Sequence, residues 1–450
     1  MAEDTLMKRL FFALLVIAAG SIPAFSKYSG GSGTTGDPYQ IANVTDLLTL
    51  SADANDYNKC FIMTADIDLD PNLPGNQIFT TAVIAPDTDH TNYGIFDGNA
   101  FTGVFDGAGH KIANLTIDTN GAGNDFLGLF GCVSGGEIKN LKLENASVTG
   151  GNDSWEVGGL AGGNAGTINN CSSTGSIISG NSTWDIGGLV GNTGNIINSF
   201  STCNVATGDD SFFAGGLTGD SDGVITNCFS TGNVSGGTWA QYFGGFMGGA
   251  DSGSISNCYS TGTVNGTYCI GGFVGALGDM TTPNITNCYS TGDVFGDISS
   301  SGGFVGTGTG YTSFCYSTGK VCNGLGGGFS AGSNTSGCFF LNTAGKNNGY
   351  GTPLTDTQMK QRASFTGWNF TTIWAICKGT NYPRLIWQIL PEDVVCPDGV
   401  SFIDYSFFAG RWMNTNCAAN NNCDGTDFDL SGTVDLADLK VFCNYWLQGL

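Results

Sequence analysis

The chain has 450 residues, 73 of them glycine, only 12% charged residues and a formal net charge of −23. That acidic balance excludes the clustered Lys and Arg that phosphate binding needs, so nucleic acid is not expected as a partner. With 40% apolar residues and glycines that recur periodically, the chain is neither disordered nor of low complexity.

Lys8 and Arg9 precede an apolar run at 10–19, and Ala24 and Ser26 offer small residues at a cleavage site. Residues 1–26 therefore read as a signal peptide. The run is shorter than the roughly 20 residues of a membrane span, and no second long apolar segment follows. A secreted or surface location is expected. Residues 27–100 lack the repeat described next. They hold a short helix at 45–51 and a strand at 60–67, which suits an N-terminal cap.

Residues 101–345 repeat. Stretches 101–107 and 127–131 look like diverged coils. From Gly158 a Gly-Gly-Leu/Phe phrase recurs at Gly187, Gly215, Gly244, Gly271 and Gly302, with spacings of 29, 28, 29, 27 and 31. A fixed period of this length means a solenoid. Alternation places Ile168, Ile196, Ile225, Ile255 and Ile285 inward. Asn170, Asn198, Asn227, Asn257 and Asn287 follow two residues later, where a sharp corner needs the left-handed conformation. Cys171, Cys228, Cys258, Cys288, Cys315 and Cys338 share one phase, with Ser199 on the missing rung. In-register parallel strands aim these side chains the same way, so buried free thiols are expected rather than disulfides. The reading is a right-handed parallel β-helix of ~28-residue coils, three short strands to a coil, with end caps.

Two aromatic columns stand at other phases. Phe200, Phe229, Tyr259, Tyr289, Tyr316 and Phe339 have the parity opposite to the thiols. Trp155, Trp184, Phe212 and Tyr268 precede their Gly-Gly pairs by three residues. An exposed strip of this kind could bind sugar rings or a surface protein, which makes Phe229, Tyr259, Tyr289, Tyr316, Trp155 and Trp184 candidate ligand-binding residues. The competing reading packs them into corners or under loops.

The phrases Gly187-Gly188-Leu189-Val190-Gly191 and Asn257-Cys258-Tyr259-Ser260-Thr261-Gly262 resemble the GLUG repeat family of bacterial secreted and surface proteins. The resemblance implies a β-helical stalk or adhesive surface and no defined reaction. Some relatives carry an IgA-cleaving metallopeptidase, but no His-Glu-x-x-His helix occurs here.

Past the repeats, 346–390 is expected as a C-terminal cap. It opens with a helix at 355–364 capped by Thr355 and closes the far end with its aromatics. Residues 391–450 form a small helical module. In it, 427–438 sets acidic or hydroxyl residues at Asp427, Asp429, Ser431, Asp435 and Asp438, with Gly432 at the sharp turn. This is a calcium-loop pattern, with Thr433 offering its carbonyl. The Asp at position 12 resembles type I dockerins, an EF-hand-like module that would tether the chain to a cohesin-like protein. A first loop near Asp398, Gly399 and Asp404 reads as having lost ligands and one residue of spacing. Cys396, Cys417, Cys423 and Cys443 are expected to form two disulfides.

No catalytic residue is assigned. His110 reads as a surface turn residue, and no nucleophile elbow occurs. Residues 143–319 contain no Lys or Arg against 12 acids, which disfavours a lyase. Asp209, Asp210, Asp220 and Asp222 read as solvated loop acids rather than a hydrolase pair. The expected function is a non-catalytic extracellular binding or adhesion protein with a calcium-dependent tether. The alternatives are a component of polysaccharide degradation, catalytic as a glycoside hydrolase or glycan-targeting, and a structural spacer.

Overall fold

The computed structural model describes residues 27–278, 282–297, 300–322, 325–396, 399–419 and 421–446. The signal peptide expected at 1–26 and Asp398 lie outside them.

The chain winds into a parallel β-solenoid whose coils stack into three long sheets. One coil runs Phe212–Gly215, Thr218–Ser221, Val224–Thr226, Phe229–Ser230 and Val234–Ser235. Each piece pairs in register with the next coil: Phe212 opposite Gln241, Thr218 opposite Met247, Ile225 opposite Ile255, Phe229 opposite Tyr259, Val234 opposite Val264. The three expected strands are thus five pieces, because bends at 222–223 and 231–233 break two of the three faces.

The interior columns explain the repeat. The five Ile are fully buried. Beside them Phe246, Phe273, Phe304 and Phe329 stack at 4.6, 4.6 and 5.0 Å, and Leu160, Leu189 and Leu217 fill the same place in earlier coils. The corner Asn residues all have φ between 50° and 55°. Gly188 is required by close approach: a Cβ there would lie 2.2 Å from Ser201 Oγ and 2.3 Å from Gly216 O.

The six repeat thiols are buried and unpaired. Cys228, Cys258 and Cys288 each donate a backbone N–H to the sulfur one coil on, at 3.3–3.4 Å. Ser199 keeps the chain unbroken. Its Oγ accepts from the Cys171 N–H at 3.0 Å, and its own N–H donates to Cys228 Sγ at 3.5 Å. A hydroxyl serves because the column needs a small acceptor, not a thiol.

At the N-terminal end, Tyr39–Ile41 pairs with Cys60–Met63, which pairs with Val104–Asp106. Residues 27–100 thus already supply rungs. The helix is Val44–Ala52, with Asn43 capping the Asp46 N–H.

The C-terminal segment departs from expectation. Its helix is only Asp356–Met359, held by a Thr355–Gln358 capping box, and a 3-10 turn Arg362–Ser364 follows. The aromatics beyond do not close the end. They run back along the flank as a strap built on the antiparallel pair Trp374–Ala375 and Arg384–Leu385. Trp368 Nε1 donates to Gly337 O at 2.9 Å, Tyr316 Oη to Pro383 O at 2.8 Å, and Trp387 Nε1 to Asn257 O at 3.0 Å. The strap settles there because the stacked outer rings form a continuous apolar stripe.

The last module contains the helices Phe402–Ala409 and Leu436–Asn444, packed through Phe408, Val434 and Phe442. Its disulfides correct the sequence reading. Cys417 pairs with Cys423, but Cys396 pairs with Cys377 of the strap, and Cys443 is exposed and unpaired. The strap brings Cys377 to the module, a proximity that no local spacing encodes.

Candidate functional site

The acidic loop is built by backbone hydrogen bonds that aim its carboxylates at one point. Asp427 accepts from the Ser431 and Gly432 N–H groups, both at 3.0 Å. Asp429 accepts from the Ser431 N–H at 3.0 Å, which holds its carboxyl below the usual range together with the Ser431 side chain. Asp438, in the first turn of its helix, accepts from the Asp429 N–H at 3.1 Å and the Asp435 N–H at 2.8 Å. Oxygens of Asp427, Asp429 and Asp438 all lie within 4.8 Å of one another. Ser431 Oγ donates to the Thr433 carbonyl at 3.1 Å, so those two expected ligands face each other. Convergent hard oxygen donors of this kind fit a cation such as Ca²⁺.

The first loop keeps more than its sequence suggested. Asp393 and Asp404 stand as far apart as Asp427 and Asp438. Asp393 accepts from the Gly399 N–H at 2.9 Å, and Asp404 accepts from the Val395 and Ser401 N–H groups, each at 3.0 Å. Gly399 stands five residues before Asp404 where Gly432 stands six before Asp438, so one residue of spacing is lost between the glycine and the helix. What is missing is side-chain oxygen at the third and fifth positions, Val395 and Pro397.

The first aromatic column is a true stack. Phe200, Phe229, Tyr259, Tyr289 and Tyr316 follow one another at 4.5–5.0 Å with rings within 6° of parallel. It is not an open strip. Tyr289, Tyr316 and Phe339 are buried against Trp368, Trp374 and Leu385 of the strap, and Trp387 lies 5.8 Å from Tyr259 and 6.2 Å from Phe229. Tyr289 and Tyr316 are therefore packing residues, and Phe229 and Tyr259 are half-buried. In the second column Trp155, Trp184 and Phe212 stack at 4.9 and 4.4 Å. Gln241 takes the next rung and Tyr268 the one after it. The loop at Gly94 covers the free face of Trp155.

A row of partly or fully enclosed acids was missed. Glu156 and Asp185 sit at positive φ (53° and 58°) two residues before their Gly-Gly pairs, with Phe213 and Tyr242 in the same place on the next coils. Burial, then the neighbouring acid, pushes both carboxyls well above their ordinary range. Asn192 Nδ2 donates to Asp185 at 3.3 Å. Asp220, read as a solvated loop acid, is instead largely enclosed. Its Oδ1 has no hydrogen-bond partner, and burial with the charge of Asp251 pushes it up to about 7. Toward the N-terminal end burial raises Asp125 to about 6, while Asp125 N–H donates to His90 Nδ1 at 3.3 Å. The phrases Trp155-Glu156-Val157 and Trp184-Asp185-Ile186 before the paired glycines carried this signal. Asp209 remains a loop residue, with Oδ1 accepting from the Thr238 N–H at 2.7 Å. His110 stands on a surface turn beside Asp66.

Among the described residues no helix is long and apolar enough to cross a membrane. Residues 153–178, 240–265 and 266–294 match the family described as the GLUG motif. Halomucin from Haloquadratum walsbyi is 34% identical over 176 residues, which span 36% of this chain and 2% of that protein. A Bacteroides ovatus crystal structure, described provisionally as an immunoglobulin A1 protease, is 21% identical with a TM-score of 0.45 over 81% of this chain and 96% of that one. No function follows from that likeness. The chain is a parallel β-solenoid carrying GLUG-motif repeats, related in sequence to a small part of halomucin.

Proposed function

We propose that this is an exported extracellular or cell-surface protein that binds rather than cleaves. The β-solenoid presents the binding face. The C-terminal module is dockerin-like, holds Ca²⁺ through Asp427, Asp429, Asp438 and the Thr433 carbonyl, and tethers the chain to a cohesin-like partner. The observation that carries the reading is two loop–helix units, one with three converging carboxylates, following a long regular solenoid. The GLUG match and the partial relationship to halomucin support a surface role. Calorimetric titration of the full chain with Ca²⁺, and a glycan array read beside a reducing-sugar assay, test it. Calcium binding and glycan capture without turnover are expected; neither binding event would overturn it.

One observation favours a second reading, a component of polysaccharide breakdown. A glycoside hydrolase needs a carboxyl kept protonated near neutral pH, and Glu156, Asp185 and Asp220 are held in that direction. Release of reducing sugar, lost in Asp185→Asn, would establish it.

A further inference from the structure

The outer aromatic column ends in a vacancy. In register with Phe200 the neighbouring coil carries Ser172, and the coil before that carries Lys142. The rings from Phe200 to Tyr316 repeat every 4.5–5.0 Å, but among the described residues no ring stacks on the far face of Phe200. Two strand spacings separate Lys142 from Phe200, about 9.6 Å. The serine between them is too small to fill that rung. The result is a cleft of about 190 Å³.

The polar wall of the cleft breaks at the same height. Along the corner, Asn170 Nδ2 donates to Asn140 Oδ1 at 2.8 Å, and Asn227 Nδ2 donates to Asn198 Oδ1 at 3.1 Å. No such bond joins Asn170 to Asn198. One amide oxygen and one amide N–H are left without a protein partner, both on residues that line the cleft. Glu144 lies across from them, paired with Lys111 at 2.8 Å.

We propose that this slot binds a single pyranose ring of a neutral glycan, seated on Phe200 as the next member of the stack. This rests on the binding reading above. A pyranose has an apolar C–H face for the ring and hydroxyls that both donate and accept, which answers the free acceptor on Asn170 and the free donor on Asn198. An aromatic side chain would use the Phe200 face and leave those amides unmatched. A nucleotide or other polyanion is opposed by the net charge of −23.

The test is calorimetric titration of the full chain with cellohexaose, mannohexaose and galactohexaose. At least one should bind. Ser172→Phe continues the ring stack into the slot, so it should abolish binding while leaving the melting temperature equal or higher. Phe200→Leu keeps the apolar volume and removes the ring face, and should weaken binding at least about tenfold. Trp239→Ala, at an exposed ring that does not line the cleft, should leave it unchanged. Binding that survives both Ser172→Phe and Phe200→Leu would overturn the slot while the broader binding reading stands. No binding of the three hexaoses, with capture of other glycans on the array, would overturn the neutral-pyranose assignment. No capture of any kind would overturn both.

Discussion

Single residues in this chain are judged by which way one rung faces. Ile255 is fully buried in a column with no Lys or Arg anywhere in residues 143–319. Ile255→Asp should therefore lower stability by several kcal/mol, since a buried charge finds no partner, as read by chemical denaturation. Asp220 has the opposite problem in the native chain. Its folded carboxyl titrates near 7, above the ordinary 3.8. The folded state thus binds more protons than the unfolded state between those values. The contribution of Asp220 to stability is fully present below about pH 4 and is lost as pH rises toward 7. Asp220→Asn should flatten that decline and raise the melting temperature at pH 8 while changing little at pH 4. Thermal melts across this range check it, and a parallel loss in both proteins at high pH would show that Asp220 is not the source.

At the scale of elements, the strap is the piece that local sequence reads least well. Trp374 is fully buried and packs within 4.5–6.3 Å of Trp368, Tyr289 and Tyr316. Trp374→Ala should cost about 3–5 kcal/mol and open the tyrosine stack to acrylamide quenching. If quenching stays at the wild-type level, the strap is held by other contacts. The acidic loop at 427–438 gives a second test. Ca²⁺ is expected to raise the melting temperature of the full chain, and Asp427→Ala to remove that rise. Asp404→Ala should cost about 1–2 kcal/mol with or without Ca²⁺, because that carboxylate caps its helix and holds the loop at Val395.

Across the whole molecule the six repeat thiols form an internal spine. Burial away from water pushes the thiols of Cys171, Cys228, Cys288 and Cys338 up, that of Cys171 to about 12. Thiol titration should leave Cys171, Cys228, Cys258, Cys288, Cys315 and Cys338 unreactive until denaturant is added, while the exposed Cys443 reacts at once. Early reaction of the six would mean that the coils open locally rather than as a cooperative stack. The Cys377–Cys396 bridge then joins the strap to the C-terminal module, so the flank covering and that module are covalently one unit.

Sequence periodicity alone determined the coil, the inward Ile and Cys columns and the Asn corners. In a solenoid each residue meets its own counterpart one repeat away, so the period carries the contacts directly. The convergence of Asp427, Asp429 and Asp438 was equally legible, because those residues are close in sequence. Tertiary structure alone decided three things. It covered Tyr289 and Tyr316, since a strap tens of residues downstream supplies the cover. It enclosed the carboxyls of Glu156, Asp185 and Asp220, since enclosure at a corner depends on the left-handed turn and on neighbouring coils. It left Phe200 with a bare face, since that follows from Ser172 and Lys142 stacking above it. Each depends on what lies next in space and not next in sequence.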